Sequence, residues 1–203
     1  MLNKKIALSA MSILASLALL GGATFAFFSD AGTSSNNVFA TGTLDLKLSD
    51  STPEVDQDNV TASFGSGALV PGSCTGSQTL NLKNTGTIAA DHAEVHLTLN
   101  SITDINTNAE PDIDTFLRLS VLTYDGVDQL AQILDTNGNL FKDLEDWAAP
   151  ANAGVLDNLA LINLNTNHPL VMDVCLDSSA GNTLQGDSVT STFTVDLNQD
   201  ASQ

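Results

Sequence analysis

The chain is predicted to be mainly β, a two-sheet antiparallel sandwich with one or two short helices in its connections. Three observations lead there. Apolar and polar residues alternate along 44–48, 80–82, 95–99, 116–124 and 189–197, the period of a strand with one buried face. Turn formers separate the runs: Pro71-Gly72, Asn84-Thr85-Gly86, Asp125-Gly126, Gly181-Asn182 and Gly186-Asp187. No long linker and no internal repeat breaks the succession, so a single domain of short strands is expected.

The N-terminal region has a different character. Lys4 and Lys5 precede an almost unbroken apolar run over 6–20, and small residues follow. This is the pattern of an export signal, with Thr24 and Ala26 suited to the −3 and −1 positions and cleavage between Ala26 and Phe27. As a helix the run rises only ~22 Å, short of the ~30 Å hydrocarbon core of a bilayer. A cleaved signal is favoured over a permanent anchor, although Phe25, Phe27 and Phe28 extend the apolar stretch. The expected organisation is 1–26 as signal peptide, 27–37 as a free arm and 38–203 as the sandwich domain.

Cleavage removes two lysines and no acidic residue, leaving four basic against 24 acidic residues and a formal charge of −20. Lys47, Lys83, Arg118 and Lys142 are too few to neutralise phosphates, which argues against nucleic acid and anionic membranes as partners. The acidity reads first as a solubility device and second as weak capture of divalent cations by Asp-rich loops. Cys74 and Cys175 are an even pair in an exported chain and read as one disulfide, with two free thiols as the alternative. Such a bridge closes a loop of about 100 residues, worth up to ~4.7 kcal/mol in the chain-entropy model.

In chain order, the first strand is expected over 38–48, followed by strands at the alternating segments. A helix is expected over 140–149, where Leu140, Phe141, Leu144 and Trp147 recur at helical spacing, with Asn139 as cap and Pro150 beyond the end.

Several blocks resemble the TasA/camelysin family of exported biofilm-matrix proteins. Gly22-Ala23-Thr24-Phe25-Ala26-Phe27-Phe28-Ser29-Asp30 is similar to that family's cleavage region, and Phe39-Ala40-Thr41-Gly42-Thr43-Leu44-Asp45-Leu46 to its first strand. Pro71-Gly72 with Leu82-Lys83-Asn84-Thr85-Gly86, and the block from Gly186-Asp187-Ser188 to Asp196-Leu197-Asn198-Gln199, resemble later family segments. The middle, about 100–165, matches by pattern only, and the paired cysteines are a departure. The resemblance implies a jelly-roll sandwich that polymerises into extracellular matrix fibres, secreted to the matrix or cell surface. It implies that the arm is a donor strand, with Phe27, Phe28, Ala31, Thr33 and Ser35 inserting into the next subunit. The expected partner is the protein itself, joined by accessory matrix proteins, with no stable membrane anchor after cleavage.

Candidate chemistry is sparse. His92, Glu94 and His96 alternate on what reads as one strand face, neighbours ~6.7 Å apart, and can in principle hold zinc. They do not form the helical HExxH of metalloproteases, and a solvated face opposite Ala93, Val95, Leu97 and Leu99 is the favoured reading. His168, before Pro169, reads as a strand-opening residue rather than a third ligand. Asp135, Asn137, Asn139, Asp143 and Asp146 loosely follow a calcium loop, but Leu140 stands where glycine is expected; a turn and a helix cap explain them more simply. Asn59-Val60-Thr61 is a single glycosylation sequon. No catalytic residues and no resident cofactor are expected. The alternatives to a fibre subunit are a camelysin-type metalloprotease and a monomeric sandwich tethered by an uncleaved signal.

Overall fold

The computed structural model describes residues 3–23, 41–50, 55–61, 64–65, 67–105, 112–161 and 163–200. The chain divides into two compact units, Met1–Ala40 and Thr41–Gln203. The first contains α1 (Lys4–Ala23), in which Ser9, Ser12 and Ser16 donate their hydroxyls back to carbonyls one turn earlier. Among the described residues no helix is long and apolar enough to cross a membrane. The cleavage positions Ala26 and Phe27, and the arm residues Phe28, Ala31, Thr33 and Ser35, lie outside the described residues.

The second unit is built on two antiparallel sheets. One has the order β1 (Leu46–Ser49), β2 (Gln78–Asn84), β6 (His168–Leu176), β4 (Leu117–Tyr124), β5 (Val127–Asp128). The other pairs β3 (His92–Thr103) with β7 (Ser188–Asn198). Inner side chains of both sheets, among them Leu80, Leu82, Val95, Leu97, Leu170 and Met172, form one buried core, as the period-two pattern requires.

The centre of the larger sheet is β6, which the alternation did not single out. Its buried residues are His168, Leu170, Met172, Val174 and Leu176, but Pro169 sits second in the strand, and proline disguises a central strand because it cannot donate to a ladder. It is tolerated at this start, opposite Asn81. The first strand also differs from expectation. It begins at Leu46, and residues 41–45 are described but not in strand. Asn84 Oδ1 takes the backbone N–H groups of both Asp45 (3.3 Å) and Gly86 (3.0 Å), replacing ladder bonds with a side-chain-centred turn.

Bulges explain the rest of the pattern. In β4 the buried residues are Leu117, Leu119, Leu122 and Tyr124, a change of parity caused by an extra residue, Ser120, between the pairs Leu119–Val174 and Val121–Asp173. Asn100 is the corresponding extra residue of β3. The β4–β5 hairpin turns at Asp125 and Gly126, both at positive φ (49° and 76°), the geometry of a type I′ turn.

The expected helix over 140–149 is shorter: α2 spans Leu144–Ala148. Leu140 has φ 74° and is 92% exposed, so the chain there cannot be helical. The cap is Asp143 rather than Asn139. Asp143 accepts the Asp146 N–H (2.9 Å) while Asp146 accepts the Asp143 N–H (3.3 Å), a reciprocal pair that satisfies two helix-end donors. Pro150 stops the helix as expected and opens a 3-10 turn, Pro150–Asn152.

Cys74 and Cys175 are bridged, across a sequence separation of 101 residues, tying the segment before β2 to β6. Replacing both by alanine should cost about 2–5 kcal/mol, read as a lower urea midpoint at unchanged secondary structure.

Asp114 is 4% exposed. Its burial, with Glu145 and Asp112 nearby, raises its carboxyl from 3.8 to about 6. A carboxyl whose pKa is higher folded than unfolded costs stability when ionised. The contribution of Asp114 to stability should therefore rise as pH falls from above 6 towards 4. Asp114→Asn should unfold at higher denaturant than wild type at pH 7.5, by up to about 3 kcal/mol, and the two should converge near pH 4.

Candidate functional site

Two strands have to cover five, and the two outer edges of the β3–β7 pair are treated differently. At β3, Ala93 and Leu159 exchange backbone hydrogen bonds (2.8 and 3.0 Å), and the Val95 N–H donates to Leu156 (3.0 Å). Leu156 and Leu159 drop into the core (1% and 5% exposed), so this segment closes that side. At β7 no strand pairs with the outer edge among the described residues.

The inner face of β7 is accordingly half covered. Val189, Phe193, Val195 and Leu197 lie against the core without being fully buried, and Ser191 on the same face is exposed. Phe193 is held edge-on by Phe64 (5.0 Å between centroids) and tilted against Trp147 (5.4 Å). Beside these residues lies a groove of about 650 Å³ whose walls include Phe64, Leu117, Met172, Val174, Val189 and Phe193. It combines an apolar floor with an 11-residue strand whose outer edge has no strand partner among the described residues.

The outer face of β3 carries the histidines. It is less solvated than the alternation suggests: His92 is buried and the Glu94 side chain is only 16% exposed, while His96 reaches 37%. Glu94 bridges the pair, with Oε1 at 3.0 Å from His92 Nε2 and Oε2 at 3.4 Å from His96 Nε2. Asn198 of β7 donates to Glu94 Oε1 (2.7 Å), and Asp91 lies 3.1 Å from His92 Nδ1. The Glu94 hydrogen bond, with help from Asp91, raises the His92 pKa. The His92 hydrogen bond lowers that of Glu94.

Sequence reasoning missed Asp157. The ladder from Leu156 to Leu159 turns its carboxylate to the same face, where Glu94, His96 and Asp157 each offer a ligand atom within 4.8 Å of the others. One Asp157 oxygen, Oδ1, is buried and has no hydrogen-bond partner. A mixed imidazole–carboxylate set with an unsatisfied buried oxygen fits a divalent transition ion. His168 does not join this group. It opens β6, stacks on Tyr124 and lies 2.7 Å from Asp125 Oδ2.

The calcium candidates are engaged with the protein itself. Asp135 accepts the N–H groups of Gly138 (2.7 Å) and Leu140 (2.9 Å). Asn137 and Asn139 both donate to Asp143 Oδ2, at 3.1 and 2.7 Å. Asp146 Oδ1 accepts from both the backbone and the hydroxyl of Thr136. Desolvation raises the Asp143 pKa.

Comparison with curated proteins finds no significant match. The family model described as camelysin metallo-endopeptidase matches residues 1–203. With a sandwich of two antiparallel sheets and a match along its whole length, the chain belongs to the TasA/camelysin family.

Proposed function

We propose that this protein is a secreted structural subunit that polymerises into extracellular matrix fibres, each copy laying its arm, 27–37, along β7 of the next. The observation that carries this reading is the β7 edge, which has no strand partner among the described residues, beside an apolar groove. Strand addition at such an edge gains affinity from backbone hydrogen bonds and selectivity from side-chain pockets. The dimensions agree: 11 arm residues extend ~36 Å at ~3.3 Å each, and β7 itself has 11 residues. Phe27 and Phe28 point to opposite faces of an extended arm, so one enters the groove, gaining roughly 1.5–3 kcal/mol. Residues Ala31, Thr33 and Ser35 are small enough to follow Phe27 along the floor.

A second reading follows from the family description. Glu94, His96 and Asp157 would hold a zinc ion, which would supply Lewis-acid chemistry toward a peptide carbonyl, while the two carboxylates balance its charge and the imidazole orients it. Casein cleavage lost in His96→Ala and retained without the arm separates this activity from assembly.

Two complementary variants test the fibre reading. Deleting 27–37 should leave a folded monomer, and Ser191→Trp, which fills the groove while keeping the arm, should also fail to polymerise. Mixed, they should form heterodimers and no longer species, because one retains a donor and the other an acceptor. Fibres from either variant alone, seen by electron microscopy, exclude the mechanism.

A further inference from the structure

We propose that Glu94, His96 and Asp157 form a binding site for a divalent transition ion of the zinc class, which fastens the segment carrying Asp157 to the outer face of β3. The proposal is independent of the fibre role. It also differs from the histidine–glutamate–histidine triad read along the strand, because His92 is an orienting neighbour rather than a ligand.

The spacing comes first. Ligand atoms around a tetrahedral ion with bonds of ~2.0–2.1 Å stand ~3.3 Å apart, and Glu94 Oε2 and His96 Nε2 are 3.4 Å apart. That distance makes a poor hydrogen bond and a good ligand–ligand edge. Asp157 completes three donors within 4.8 Å of one another. Its buried Oδ1 has no partner in the protein, and a ligated cation removes that desolvation cost.

The surroundings hold these donors in place. Glu94 Oε1 is fixed by His92 Nε2 (3.0 Å) and by the Asn198 amide (2.7 Å), leaving Oε2 directed at His96. Orienting contacts of this kind are what metal carboxylates use. On the other side, the Ala93–Leu159 and Val95–Leu156 backbone bonds fix the chain on both sides of Asp157. Gly154 leaves the carboxylate room, since a Cβ there would lie 3.0 Å from Asp157 Oδ2. Two carboxylates balance a dication, and the imidazole selects zinc-like ions over calcium, which takes oxygen ligands alone. The partly exposed His96 ring gives the ion a way in.

The test is calorimetric titration of zinc chloride into the untagged full chain, with cobalt(II) visible absorption as a spectroscopic readout. Wild type should bind one ion per chain, show the bands of a four-coordinate cobalt centre, and unfold at a higher temperature with zinc. Asn198→Ala, a positioning change, should weaken binding by ~10–100-fold. Asp157→Asn and His96→Ala should weaken it by more and abolish the thermal shift. His96 stands at the surface, so its variant reports on ligation even if Asp157→Asn disturbs folding; metal-free unfolding curves show whether it does. Absence of saturable binding in wild type overturns the proposal. So does undiminished affinity in either ligand variant, which places the ion elsewhere.

Discussion

The structure depends on an imbalance: a two-stranded sheet is laid over a five-stranded one, and the uncovered apolar surface must be closed at both sides. At β3 the chain closes it with its own backbone, through the Leu156 to Leu159 ladder, and with the side chains those residues bury. At β7 the described residues leave an apolar groove, whose walls include Met172 and Val174 of β6, beside an edge with no strand partner among them. Both candidate sites are consequences. The closing segment delivers Asp157 to Glu94 and His96, and the other side leaves an apolar groove beside β7. A long edge strand without proline or lysine is a template for pairing with another chain, and among the described residues β7 has no partner on that edge.

Electrostatics narrows what can hold such an occupant. The four basic residues outside the N-terminal region are already engaged within the domain. Lys47 pairs with Asp45 and Asp58, Lys83 with Asp56, and Arg118 with Asp177 while stacking over Phe141. The Lys142 ammonium donates to the carbonyls of Ala131 and Ile133. Identical acidic subunits therefore repel, over a range that salt cuts to ~8–10 Å. In the proposed fibre, association between copies would rest on backbone hydrogen bonds and apolar insertion at the β7 groove.

Local pattern revealed the strands that alternate cleanly, β2, β3, β4 and β7, together with the Asp125-Gly126 hairpin and the cysteine pair. It failed where one residue changes the local rule. Pro169 hid β6, Asn84 unravelled the start of β1, and Leu140 at positive φ moved the helix start to Asp143. Two of the three residues of the metal-capable cluster were legible, because Glu94 and His96 share a strand face. Asp157 was not, since only the tertiary ladder at Leu156 and Leu159 brings it there. The groove left one trace in the sequence: Ser191, a polar residue on the otherwise apolar inner face of β7.

The central claim is that the outer edge of β7 is the acceptor of another copy's arm. Amide hydrogen exchange across 188–198 tests it most directly, comparing the arm-deleted protein with the assembled full chain. The account requires alternate amides of this strand to exchange quickly in the arm-deleted protein and to become protected on assembly, along with the arm itself. Equal exchange in both states, with protection appearing elsewhere, contradicts it.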